Sequence, residues 1–160
     1  MSNTHTGATA FFTMLDTLKK NLLEDVSINT CTYGDLAQID LSKQTIFPLA
    51  HLVPNNANID DVGQTISFNV TVILMDIVDI SKDKKTDIFY GITNEQYILN
   101  TMLAVGNKLF KRFKSGDLRL EGYQCEGNMT CEPFYQRFEN QLAGWACTFD
   151  IQFVNNINIC

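Results

Sequence analysis

The chain has 160 residues, 45% hydrophobic and 19% charged, which suits one folded domain with a real core and excludes general disorder. Its formal net charge is −6, a poor fit to a grip on nucleic acid, where affinity comes mainly from neutralising phosphates. No apolar run approaches the roughly 20 residues needed to span a bilayer. Residues 1–15 lack the basic-then-apolar order of a signal peptide, so the expectation is a protein made and kept in a cytoplasm.

A single domain is expected over 1–160, with residues 1–8 as a flexible N-terminal tail and 155–160 as a C-terminal tail. Thr9 can cap a helix over about 10–25, where Phe11, Leu15, Leu18 and Leu22 form one apolar stripe. Residues 26–41 follow as a strand broken near Gly34-Asp35, and 42–44 as a polar turn. Residues 46–53 form a short apolar strand. Pro48 lacks an amide proton, which sends this strand to a sheet edge or to a bulge. His51 sits inside it, and a lone histidine there is expected to be a hydrogen-bonded packing residue.

Residues 54–63 carry every local cue of a loop, long enough to bear function. Asp60 and Asp61 are adjacent there, but adjacency does not aim two carboxylates at one point, so a solvated tip is expected over a metal site. The centre of the chain is 64–79. Ile66, Phe68, Val70, Val72 and Leu74 fall on one face at period two, with Thr65, Ser67, Asn69 and Thr71 on the other. Past Thr71 the polar face turns apolar at Ile73, Met75 and Ile77. The far half is therefore covered on both sides or shifted in phase by a bulge.

Residues 80–91 mix Lys82, Asp83, Lys84, Lys85 and Asp87 in a solvated loop without the glycines of a phosphate cradle. Ile88, Phe89 and Tyr90 are apolar enough to tuck back on the domain or to meet a neighbour. Residues 93–114 read as a long helix with Thr93 and Gln96 as a capping box. Glu95 in its first turn and Lys108, Lys111, Arg112 and Lys114 in its last two match the helix dipole. The expected buried face is Leu99, Met102, Leu103, Gly106, Leu109, Phe110 and Phe113, with Gly106 marking close approach to a sheet.

The C-terminal part is β. Residues 118–125 form a strand, 126–128 a turn, and 129–138 an edge or bulged strand around Pro133 with Phe134 and Phe138 as core candidates. Residues 140–144 form a second turn. From 144 to 154, Trp145, Cys147, Phe149, Ile151 and Phe153 alternate with polar or small residues, a natural neighbour for 64–79. The fold class is α+β: a mixed, mainly antiparallel β-sheet packed by two amphipathic helices.

No catalytic, cofactor or metal constellation emerges. Of two histidines, His5 lies in the tail, so a nucleophilic triad has only His51 to build on. GxSxG, HExxH and GxGxxG are all missing. The five cysteines at 31, 125, 131, 147 and 160 are odd in number and without CxxC, and free thiols are expected. The glycosylation patterns at Asn69 and Asn128 carry no meaning without secretion. No catalytic residue, cofactor or metal is therefore assigned.

Three stretches carry a resemblance: Ile46-Phe-Pro-Leu-Ala-His-Leu-Val-Pro54, then residues 66–79, then Thr93-Asn-Glu-Gln-Tyr-Ile-Leu-Asn-Thr101 leading into the long helix. With the element order, they resemble the small tail-terminator and tail-completion proteins of tailed bacteriophages, which share a fold with some neck-ring proteins. The resemblance implies a non-enzymatic virion structural protein, assembled in the bacterial cytoplasm. It would form a homo-oligomeric ring, often a hexamer, at the head-proximal end of the tail or in the neck. The implied partners are further copies of the chain and adjacent neck, connector and tail proteins, with genomic DNA only as passing cargo through an acidic lumen and no membrane. Alternatives from other classes are a non-catalytic adaptor and a small enzyme of unrecognised mechanism.

Overall fold

The computed structural model describes residues 9–38, 44–62, 65–78, 89, 94–116, 124–137 and 141–154. Helix α1 spans Thr9–Glu24 and α2 spans Glu95–Lys114, and the strands are β1 (Thr30–Tyr33), β2 (Leu49–Ile59), β3 (Thr65–Ile77), β4 (Gln124–Arg137) and β5 (Leu142–Val154). They form one five-stranded sheet in the order β1-β2-β3-β5-β4. Among the described strands, only the β1–β2 pair is parallel. The class is the expected α+β arrangement.

β3 and β5 are the spine. They pair without a break from Thr65↔Val154 to Ile77↔Leu142, so the period-two faces of both strands stay aligned. Ile66, Phe68, Val70, Val72 and Leu74 meet Cys147, Phe149, Ile151 and Phe153 on one face. α1 adds Ala10, Met14, Leu18 and Leu22, and α2 adds Ile98, Met102, Val105, Leu109 and Phe113, all in one buried cluster. Burying each of the valine, leucine, isoleucine, methionine and phenylalanine side chains among them contributes roughly 1.5–3 kcal/mol. The far half of β3 is covered on both sides. Its second face carries a smaller cluster of Phe47, Leu49, Met75, Phe134 and Leu142. The unbroken register removes the phase shift that was the other option.

Both helices are rotated from the expected faces. In α1 the buried positions are Ala10, Met14, Leu18 and Leu22, while Phe11 and Leu15 pack only partly. In α2, Ile98 and Val105 are buried and Leu103 is exposed. Asn94 is the N-cap without a side-chain cap bond, and the Gln96 side chain donates to the Phe89 carbonyl instead. Phe89 itself is 76% exposed, so its ring does not tuck back. At Gly106 α2 rests closely on the sheet: an added Cβ would meet Cys147 Sγ at 3.2 Å and Leu74 Cδ1 at 3.5 Å. Trp145 pins the same contact, its indole Nε1 donating to the Leu99 carbonyl at 2.8 Å.

Other boundaries differ for local reasons. β2 is internal, not an edge, because Pro48 precedes it and Pro54 sits where the ladder slips by a bulge between Pro54 and Asn56. Most of the expected loop 54–63 is therefore strand, and Asp60 closes the hairpin with its carboxylate accepting from the Thr65 amide. β1 is only four residues long, ending at Gly34 with φ 107°, and a 3-10 turn follows at Leu36–Gln38. The turn expected at 126–128 is a bulge inside β4, made by Gly127 at φ 70°. β5 begins at Leu142, earlier than expected, and Gly144 lies within it. A Cβ there would run into the Leu74 carbonyl. β4 is an edge strand bearing Pro133, as expected. The expected strand at 118–123, Phe138, Thr93, Gln64, Cys160, the tails 1–8 and 155–160, and 80–91 apart from Phe89 lie outside the described residues.

Candidate functional site

The helices cover one sheet face. The other face divides along the strands. The end around Met75 is apolar and closed by Phe47 and Phe134. The end around Asn69 is polar, and a hydrogen-bond chain crosses three strands there. Asn55 Nδ2 in β2 donates to Asn69 Oδ1 and to Thr71 Oγ1, both at 2.8 Å. Asn69 Nδ2 donates to Asp150 Oδ1 in β5 at 2.9 Å. The Thr71 and Thr148 hydroxyls meet at 2.9 Å. The bulge after Pro54 is what turns Asn55 toward this row.

β4 continues the surface at the edge, with Glu126 opposite Asp150, Thr130 opposite Thr148 and Glu132 opposite Ala146. Glu126, Glu132 and Asp150 are exposed. On this half of the face, among described side chains, the charges are carboxylates only. Such a surface is hydrogen-bonded sideways, fixed in position and repulsive to phosphate.

His51 is fully buried and sits opposite Thr32 where β1 meets β2. Its Nε2 donates to the Gly34 carbonyl at 2.8 Å. Nδ1 therefore carries no proton and accepts from the Thr32 hydroxyl at 2.8 Å. Burial lowers its pKa below the ordinary 6.5, against smaller raising effects of the Gly34 bond and Asp35. Both ring nitrogens are used to hold the parallel strand pair, the packing role expected for it.

Four described cysteines are free. Burial pushes the Cys31 thiol up to about 11 and the Cys125 thiol up to about 12. Cys147 is raised as well, first by burial and then by its contact with Cys131 across the β4–β5 pair. Cys31, Cys125 and Cys147 are packing thiols, not activated nucleophiles. Among the described residues, no group of three or more His, Cys, Asp or Glu side chains is placed to hold a metal ion. No described helix is long and apolar enough to cross a membrane.

The basic end of α2 is engaged in a way the dipole argument missed. Lys108 Nζ lies 3.8 Å from Asp25 Oδ2, and Arg112 Nη1 lies 3.2 Å from Glu24 Oε2. These pairs tie the C-terminal halves of the two helices together across a groove. The sequence showed all four charges but not that α1 would end beside α2. The polar row was half visible, as Ser67, Asn69 and Thr71 alternate in β3. Its partners Asn55, Thr148 and Asp150 depend on register.

A comparison of the chain with protein-family models found no match, and a comparison with curated proteins found none either.

Proposed function

We propose that this protein is a virion structural component of a tailed bacteriophage. In this reading it forms a homo-oligomeric ring, six-fold in the first instance, at the head-proximal end of the tail or in the neck. The observation that carries the reading is the outer sheet face described above, a hydrogen-bonded polar surface whose described charges are Glu126, Glu132 and Asp150. Facing a lumen, it would let DNA pass without adhering, because carboxylates repel phosphate and no lysine or arginine stands among the described side chains of this half of the face for counterion release. The overall charge of −6 has the same sign.

Two features support contact with other virion proteins. The β2–β3 hairpin ends in exposed Ile59 (56%) and Val62 (70%), apolar side chains at a tip where solvent alone would favour polar ones. Phe89, before α2, is also exposed. These positions suit contacts with rings above and below.

The enzyme alternative draws no support from His51, whose nitrogens are both committed to the fold. A non-catalytic adaptor would be a monomer or a small defined dimer. Electron micrographs of the purified protein, alone and with the neighbouring neck and tail proteins, test the choice. Annular particles with an open centre are expected. Compact single particles under both conditions would overturn the reading.

A further inference from the structure

Two unlike apolar surfaces lie at opposite edges of the sheet. On the β1 side, Phe12 and Tyr33 are each 56% exposed. Phe11 packs edge-on against both, with ring centroids 6.1 and 6.4 Å away, and is itself held on Phe68 of the core at 6.0 Å. The projecting rings therefore stand on a fixed base. On the β4 side, a groove of about 490 Å³ runs between α2 and the strand, lined by Leu103, Ala104, Phe110, Met129 and Cys131 together with Asn100 and Asn107.

Resting on the self-assembling reading above, we propose that copies join head to tail, with Phe12 and Tyr33 of one copy seated in the α2–β4 groove of the next. The occupant is a second copy for three reasons. First, β1 and β4 are the outermost strands of the sheet, so one copy cannot bring its own two surfaces together, whereas a row of copies satisfies both at every joint. A repeated contact between unlike surfaces closes into a ring when the rotation permits. Second, the shapes are opposed. One surface is convex and aromatic. The other is a mainly apolar groove with two asparagines in its lining, within the range of about 300–1,000 Å³ that accepts groups of this size. Third, charges of opposite sign stand beside the two surfaces. Asp16 is exposed one helical turn after Phe12, and the Lys114 ammonium sits 5.4 Å from the centre of the Phe110 ring beside the groove. An opposed pair is thus available across the joint.

The joint is made by side chains rather than by a shared backbone ladder. The outer edge of β4 is interrupted by the Gly127 bulge, by Pro133 and by a second register shift before Arg137, features that blunt strand addition.

The test mixes two double variants, Phe12→Glu/Tyr33→Glu and Leu103→Glu/Ala104→Glu. All four positions are exposed, and thermal unfolding of each variant is compared with wild type to show that the fold is kept. Wild type is expected to assemble, each variant alone to have the mass of one chain, and an equimolar mixture to form a dimer of one copy of each and nothing larger. Assembly of either variant as in wild type, or no dimer in the mixture, overturns the docking while leaving the ring reading in place. A wild type that never assembles overturns both. If a variant unfolds, a Tyr33→Cys protein treated with a short bismaleimide decides the matter. An inter-chain link to the Cys131 peptide is expected, and its absence contradicts the proposal.

Discussion

Gly106 of α2 faces Cys147 of β5 across the helix–sheet contact, and a Cβ on the glycine would stand 3.2 Å from the cysteine sulfur. The glycine lets the helix lie down on the sheet. Gly106→Leu inserts three more carbons beyond that Cβ, between Cys147, Leu74 and Met129, and is expected to destabilise by about 1–3 kcal/mol or more. Gly106→Ala gains about 1 kcal/mol of helix propensity and meets only a slight crowding of the sulfur, so it should stay near wild type. Urea unfolding of the two variants checks this. An unchanged midpoint for the leucine variant would mean that α2 does not rest on β5 here.

His51 links stability to pH. Its folded pKa is depressed below the unfolded value near 6.5, so the unfolded chain binds the proton more readily. This contribution to stability is complete above about pH 6.5 and is lost as pH falls through the lower, folded pKa. Denaturant midpoints measured from pH 8 down to pH 5 should decline, and the decline should be shallower in His51→Asn. Thr32→Val, which removes the hydroxyl donor to buried Nδ1, should cost about 1–3 kcal/mol at pH 8. Equal pH slopes with and without the imidazole would rule out the buried neutral histidine.

The thiols of Cys31, Cys125 and Cys147 should be inert in the native protein. With Cys31 pushed up to about 11 and Cys125 to about 12, the thiolate fraction at pH 8 is very small. Iodoacetamide at pH 8, read by intact mass and peptide mapping, should leave Cys31, Cys125 and Cys147 unmodified until denaturant is added. Rapid labelling of Cys125 in the folded state would contradict its placement on the core side of β4.

Sign of charge on the outer sheet face should govern contact with DNA. Wild type is expected not to retard duplex DNA even at low salt. Glu126→Lys/Glu132→Lys replaces two exposed carboxylates with ammonium groups beside the polar row. This variant should retard DNA, with affinity falling steeply as salt rises. Binding by wild type, or none by the variant, would count against an anionic surface tuned for slipping past phosphate.

The strongest parts of this fold were legible because one physical period dominates them. In β3 and β5 every second residue is apolar over a long run, and the observed pairing keeps those runs face to face. What failed to show were features that depend on a neighbour. Pro54 and Gly127 look like chain breaks when read locally, yet each sits in a bulge that the adjoining strand absorbs. The helix faces came out rotated because α1 and α2 carry more apolar residues than one stripe can bury. Contact with the sheet chose Met14 and Val105 and left Phe12 and Leu103 outside. The polar row and the groove were hidden for the same reason. Asn55, Asn69 and Asp150 come from three strands, and the α2–β4 groove from two distant elements.

Solution mass bears most directly on the account. Sedimentation or native mass spectrometry across a wide concentration range, with and without the adjoining neck and tail proteins, should show a closed species of about six times the 18.1 kDa chain. A mass that stays at one chain under every condition, with the folded state verified, would contradict a protein that works as one segment of a ring.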